Sequence, residues 1–204
     1  MKKGIYTLIL VVFAWLQGSY TAQDMEIDDS FVFELGLPNG FVNAPFKNIM
    51  QGVVYVSPMY QYTLRSGLMF GAGVHYSYFN INQFRINQKI SGGMHNGAAF
   101  IKLGHEKFWT PSLATDIGVK AGFAQTAFVT DTLKSMGITY NSKQSAYIEP
   151  NIGICLAADV NASFRLTIGY AFYGFGYKPW DIGIISDLGY SASELNKVSS
   201  YLIV

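Results

Sequence analysis

The chain has one cysteine, Cys155, six prolines, and no run of 18 or more consecutive apolar residues. A single cysteine excludes an internal disulfide. The missing apolar run excludes a spanning helix, which needs about 20 such residues. Charge is also scarce, at 13% of residues, where a soluble domain usually carries about 25%. The formal net charge of +1 offers no basic surface for nucleic acid.

Aromatic residues and glycine are abundant instead: 15 Phe, 14 Tyr, 3 Trp and 21 Gly. The first residues read as an export leader of the Sec type, residues 1–23. Lys2 and Lys3 give a charged start, Ile5 to Leu16 an apolar centre, and Gly18 to Ala22 a small-residue cleavage region. That centre is too short to span a membrane as a helix. No cysteine follows it, so a lipid-modified N-terminus is not expected. Loss of Lys2 and Lys3 with the leader takes the net charge from +1 to −1. Residues 24–204 then make one domain.

That domain alternates apolar and polar residues in about eight stretches, joined by connections that are short and long in turn. The first runs from Phe31 to Leu37 and places Phe31, Phe33, Leu35 and Leu37 on one face. A loop with Pro38-Asn39-Gly40 and Asn43-Ala44-Pro45 follows. The second, Ile49 to Tyr62, turns Met50, Val54, Val56, Pro58, Tyr60 and Tyr62 outward and Gln51, Ser57 and Gln61 inward. Pro58 cannot donate to a ladder and implies a bulge or an unpaired position. After a tight turn at Arg65-Ser66-Gly67, Leu68, Phe70, Ala72, Val74, Tyr76 and Tyr78 alternate with Met69, Gly71, Gly73, His75 and Ser77.

A polar loop spans Asn80 to Met94, and the fourth stretch, Gly97 to Gly104, turns at Glu106-Lys107 and Pro111. The fifth covers Leu113 to Ala127, with Asp116, Gly118, Lys120 and Gly122 inward. A long connection from Asp131 to Lys143 leads to the sixth, Ala146 to Ala158, with Glu149 and Asn151 inward. Asp159 to Ala162 turns into the seventh, which points Phe164, Leu166, Ile168, Tyr170 and Phe172 outward and Arg165 and Thr167 inward. The last loop covers Tyr177 to Leu195, and a final strand from Val198 to Val204 closes against the first. Alternation places Cys155 inward as a buried thiol.

Large apolar residues on one face and small or polar ones on the other predict an all-β fold: an eight-stranded antiparallel up-and-down transmembrane β-barrel. Both termini and three tight turns share the periplasmic side, and four longer loops face out of the cell. Tyr60, Tyr62, Phe108, Trp109 and Phe164 fall near the tight-turn ends, and Tyr76, Tyr78, Phe123 and Phe172 towards the loops, where interface girdles belong.

On the runs Val53 to Phe79, Ile117 to Phe123 and Ile168 to Tyr173, the mature chain resembles the small outer-membrane β-barrel family, the OmpA/OmpX-like group. The resemblance implies insertion into outer-membrane lipid with the help of the barrel assembly machinery. Members usually end on an aromatic residue that this machinery reads, whereas here the last residues are Tyr201-Leu202-Ile203-Val204. Either the signal is atypical or last residues have been lost.

Seven charges fall on the inward face: Glu34, Lys102, Glu106, Asp116, Lys120, Glu149 and Arg165. Unpaired charge is disfavoured in such a setting, so they are expected to pair and hold the lumen shut. A narrow ion pathway or a ligand site is the alternative.

His75 and Ser77 share the inward face, where an imidazole could activate a hydroxyl. The pattern resembles the His-x-Ser-Asn motif of outer-membrane lipid A deacylases, but Tyr78 stands in the Asn position. A packed lumen histidine is the better reading. His95 at a loop edge and His105 near a turn have no metal-site spacing. Glycines 71 and 73, and 174 and 176, lack the helix that a nucleotide fingerprint needs. Asn161-Ala162-Ser163 matches a glycosylation acceptor but is incidental in a bacterial export context. In the last loop, Tyr177-Lys178-Pro179-Trp180 and Ile182, Ile184 and Ile185 read as a partner surface or as a strand extension into the interface. Tyr177 and Trp180 are the candidate contact residues.

The sequence therefore favours a non-enzymatic barrel of the outer membrane, with no cofactor, in a structural or surface-interaction role. Two alternatives stay open: a lipid A-modifying hydrolase using His75 and Ser77, and a soluble periplasmic lipocalin-like binder. The second requires an apolar interior.

Overall fold

A computed structural model describes residues 28–86, 88–110, 112–159 and 162–204. The expected leader, Asn161 of the acceptor triplet and Pro111 of the second tight turn lie outside them. Nine strands make one sheet: β1 (Asp28–Gly36), β2 (Pro38–Gly40), β3 (Met50–Thr63), β4 (Leu68–Ile81), β5 (Gly92–Thr110), β6 (Leu113–Thr130), β7 (Asn141–Asp159), β8 (Ala162–Tyr173) and β9 (Ser200–Ile203). From β3 to β9 every strand pairs antiparallel with the next in sequence. One edge of this run pairs with β1 and the other with β2, and only Leu37 separates those two. The sheet thus returns to its first stave. It is an all-β, up-and-down barrel of eight staves, the first broken at Leu37.

Period-two alternation fixes the two faces. Outward side chains such as Phe33, Phe70, Ile101, Val119, Ile152 and Leu166 are exposed, whereas inward ones such as Gln61, Lys102, Asp116 and Glu149 are buried. No helix among the described residues is long and apolar enough to cross a membrane; the long apolar elements are strands.

The closing contact differs from expectation. Pro38-Asn39-Gly40, read as a loop, is β2, and its three residues pair with Ile203, Leu202 and Tyr201. Asn43-Ala44-Pro45 opens a helix, α1 (Ala44–Ile49), in which the Asn43 Oδ1 accepts from the Phe46 N–H at 2.9 Å. Asparagine before an early proline is a helix start. Phe46 and Ile49 pack into the loop-side mouth of the barrel.

In β3 the register shifts between Gly52 and Val54. One extra residue reverses the alternation, so Met50 is buried and Gln51 exposed, opposite to the sequence reading. Pro58 pairs with Phe33 of β1, while the β3–β4 pairing passes from Val56 to Met59. It occupies an unpaired position on that side.

β5 also extends well past Gly104. Glu106 and Lys107, expected in a turn, lie within it opposite Asp116 and Thr115, and His95 and His105 are strand residues too. The tight turn before β4 is as expected: Gly67 has φ +82°, and a Cβ there would stand 2.4 Å from the Glu106 carbonyl oxygen. The longer connections carry α2 (Asp131–Ser135), a 3₁₀ turn at Pro179–Ile182 and α3 (Ala192–Leu195).

Candidate functional site

Chemistry concentrates in the lumen and at its loop-side mouth. In the tight-turn half, β5 and β6 put like charges directly opposite each other: Glu106 against Asp116, and Lys102 against Lys120. Such pairs repel and need counter-charge from elsewhere. Arg165 on β8 supplies it to the carboxylates, with one guanidinium nitrogen 3.2 Å from Glu106 Oε1 and the other 3.1 Å from Asp116 Oδ2. Lys120 is held by Glu34 of β1 at 2.5 Å and Glu149 of β7 at 2.9 Å.

Six of the seven expected inward charges therefore meet in two clusters. Lys102 does not join either cluster. Among the described residues it donates to Gln61 Oε1 at 3.3 Å rather than to a carboxylate, and Arg165 shares that same oxygen at 3.1 Å. Two glycines make the room: a Cβ at Gly153 would stand 2.9 Å from Asp116 Oδ1, and one at Gly169 2.9 Å from Glu149 Oε1.

Above the ions the lumen is aromatic. The Tyr147 hydroxyl donates to Glu149, the Tyr173 and Tyr201 hydroxyls bond each other, and Lys120 donates to Tyr55. His75 sits among the rings of Tyr55, Phe100, Tyr147 and Tyr173, with its Nε2 3.1 Å from the Tyr173 hydroxyl. Ser77 instead bonds the Tyr201 hydroxyl at 3.1 Å. Both are buried, so the imidazole and the hydroxyl are each engaged by a different tyrosine. His95 faces outward and bonds Tyr76 at 2.8 Å. Among the described residues no three His, Cys, Asp or Glu groups are placed to hold a metal.

At the loop-side mouth the long connections fold down over the aromatic layer. Tyr177, expected at the surface, is completely buried against Phe46 and Phe128. Burial in these apolar surroundings raises its phenol well above the ordinary tyrosine range. Ile182 and Ile184 are buried too, in and after a 3₁₀ turn rather than in a strand extension. This turn is tied down by Lys143, whose ammonium lies 2.6 Å from Asp181, and by Thr130, which donates to the Ile182 carbonyl at 3.0 Å. Asn43, buried at the head of α1, donates to the carbonyls of Lys197 and Tyr177 and so joins the first loop to the last.

Trp180 remains at the surface, 64% exposed, and Ile185 is 76% exposed. With Leu133, Met136, Ile138, Tyr140 and the polar Asn141 and Ser142 they line a groove of mixed polarity and about 400 Å³ between the third and fourth long loops. Sequence reading missed the part played by Met136, Ile138 and Tyr140, which sit in a connection without periodicity. It also missed Asn43, although the Asn-Ala-Pro start was visible.

No family model matches the chain, and no curated protein matches it. Among solved structures, the chain is similar to Ail, the attachment invasion locus protein of Yersinia pestis, at 13% identity over 88% of this chain and 96% of that one, with a TM-score of 0.44.

Proposed function

We propose that this chain is a non-enzymatic β-barrel of the outer membrane, with its lumen held shut by ion pairs and rings, that meets partners through its outer loops. The observation that carries this is the polarity of the wall. Side chains facing out are apolar and exposed, while the charges face in and are buried. A water-soluble ligand carrier has the opposite arrangement, and lipid is the surrounding that such an outer face fits. The barrel interior is then filled by its own side chains.

Girdle chemistry agrees with this reading. Trp109, half exposed, donates to Thr115 at 2.9 Å beside the second tight turn, with the Lys107 ammonium 4.4 Å from its ring centre. An amphipathic ring with a cation belongs at a headgroup level. Outer-membrane lipid is thus the partner of the wall, and the barrel assembly machinery its partner in biogenesis. The groove around Trp180 is the surface offered to the outside. With His75 and Ser77 each taken by a tyrosine, the lumen has a structural role.

Ile185→Cys and Ser66→Cys variants, treated in intact cells with a membrane-impermeant maleimide, test orientation and location together. The 185 variant should label in intact cells and the 66 variant only after permeabilisation; equal labelling would overturn the reading. In planar bilayers the purified protein should show no steady conductance.

A further inference from the structure

The groove between the third and fourth long loops has two walls fastened to one residue. Thr130 ends β6, and its hydroxyl accepts from the Leu133 N–H at 3.2 Å, which starts α2. The same hydroxyl donates to the Ile182 carbonyl of the 3₁₀ turn at 3.0 Å. The walls also approach closely at Gly183, φ +89°, where a Cβ would stand 3.0 Å from Thr132 Cγ2. On the first wall Gly137, φ +78°, ends α2 and lets the Ile138 N–H bond back to the Leu133 carbonyl at 2.9 Å. On the second, the Asp181 carboxylate holds the Lys143 ammonium at 2.6 Å and the Lys178 N–H at 2.9 Å. A cleft tied in this way is shaped before a ligand arrives, which lowers the ordering cost of binding.

Among the described residues no charged side chain lines it. Two large rings, Tyr140 and Trp180, are 57 and 64% exposed. The Asn141 side-chain amide donates to the Asp181 carbonyl at 3.5 Å, so its Oδ1 is the acceptor it offers. The next residue, Ser142, brings an exposed hydroxyl. The Trp180 indole N–H and the Tyr140 hydroxyl add donors at the ring edges.

Height along the wall selects among occupants. The outward face of β6 and β7 stays apolar up to Phe123 and its partner Ala146, then changes to Gln125 paired with Gln144. Ser142 lies four residues beyond Ala146 towards the loops, about 13 Å along the strand. The groove therefore stands clear of the band that acyl chains occupy. Its volume of about 400 Å³ falls in the range of small-ligand sites, about 300–1,000 Å³. A protein partner takes about 800 Å² from each side, whereas the flanks here turn polar at the exposed Lys134-Ser135 and Ser186-Asp187. Uncharged rings edged by an amide and a hydroxyl suit a ligand with one C–H face and a rim of hydroxyls. The negative face of an aromatic ring attracts such C–H groups.

We propose that the groove binds the terminal hexose of an uncharged oligosaccharide. The sugar stacks its C–H face on Trp180 beside Tyr140, and its hydroxyls pair with Asn141 Oδ1 and Ser142 Oγ. A hexose attached directly to a lipid would sit lower, at the girdle, so the sugar reaches the groove from the surrounding medium. This deepens the reading of the loops as a partner surface by naming the partner's chemistry, and rests on it for access in cells.

The test uses the protein folded in phosphatidylcholine vesicles. With Trp15 gone with the leader and Trp109→Phe in place, Trp180 is the remaining indole. Lactose, maltose, cellobiose and N,N′-diacetylchitobiose are titrated separately. At least one should shift the Trp180 emission saturably, with a Kd on the order of 1 mM. Tyr140→Ala should weaken that binding about tenfold and Tyr140→Phe should retain it within about threefold. Tyr140 is an exposed side chain, so both variants should keep the parent thermal transition. No shift with any of the four sugars up to about 20 mM, or equal binding by Tyr140→Ala, would overturn the proposal. So would a shift produced only by vesicles doped with monogalactosyl diglyceride, since the sugar would then come from the lipid. The titration in vesicles does not depend on orientation in cells, so its failure and a failure of the maleimide labelling are told apart.

Discussion

Glu106 and Asp116 stand directly opposite each other on β5 and β6, both facing the lumen, and a single guanidinium from Arg165 on β8 reaches both. The two carboxylates have sequence neighbours for partners in the sheet but obtain their counter-charge from across the barrel. Lys120 has one carboxylate of each kind: Glu149 is its direct partner on the adjacent β7, while Glu34 reaches it from β1. The lumen ties together staves that do not touch along the wall.

Removing Arg165 should therefore be far more damaging than an ordinary surface change. An Arg165→Met variant leaves two facing carboxylates without their cation and is expected to lose about 3–5 kcal/mol of stability. Adding Glu106→Gln to that variant should recover part of the loss, because one negative charge of the facing pair is gone. Urea unfolding in vesicles measures both, and a single variant within 1 kcal/mol of the parent, on the order of an exposed pair, would contradict the arrangement.

Gly153 makes room for the Asp116 carboxylate, which an added Cβ would meet at 2.9 Å. Gly153→Ala should cost about 1–3 kcal/mol by crowding the lumen. An alanine at Gly137, where a Cβ would meet nothing within 4 Å, carries no such crowding and serves as the comparison, its cost arising only from the φ of +78°. Thermal unfolding of the two variants should separate the crowding from the backbone effect.

Ser77→Ala removes the hydroxyl that lies 3.1 Å from the Tyr201 hydroxyl. Ser77 Oγ also accepts from the Asn96 side-chain amide at 3.5 Å, so the expected result is a loss of about 1–2 kcal/mol and an unchanged lipid A profile in cells carrying the variant. A changed profile would restore the hydrolase reading of His75 and Ser77.

Tyr177 provides a test by pH. Its phenol is raised by burial, so the folded loops keep the proton when an unfolded chain would release it. The folded state is at no disadvantage below about pH 10; as pH rises past that value, the unfolded chain gains by ionising and the loops lose stability. Tyr177→Phe should remove this alkaline loss. It should keep near-parent stability at neutral pH, since the hydroxyl has no hydrogen-bond partner among the described residues. Trp180 fluorescence, read from pH 8 to about 11, reports the loosening in the parent and its reduction in the variant.

The outward face of most staves was legible because lipid-facing and lumen-facing positions alternate without interruption, as from Leu68 to Tyr78 and from Leu113 to Phe123. The inward charges were legible for the same reason. Their partners were not, because cross-lumen contacts depend on the stagger of the staves, which no local pattern encodes. Met50 and Gln51 were assigned to the wrong faces because one bulge residue shifts the phase. The β2–β9 closure was hidden by Pro38-Asn39-Gly40, whose turn-like composition is overridden by pairing with Tyr201 to Ile203. Tyr177 was read as a surface residue because aromatics in a loop resemble an exposed patch until α1 and the 3₁₀ turn enclose them.

The most direct measurement is the cellular fraction in which the mature protein is found, together with its migration in mild detergent before and after boiling. An apolar outer wall around a closed sheet predicts the outer-membrane fraction and a clear difference in mobility between the folded and boiled forms. A protein that stays in the aqueous fraction without detergent and migrates alike before and after boiling would contradict the account.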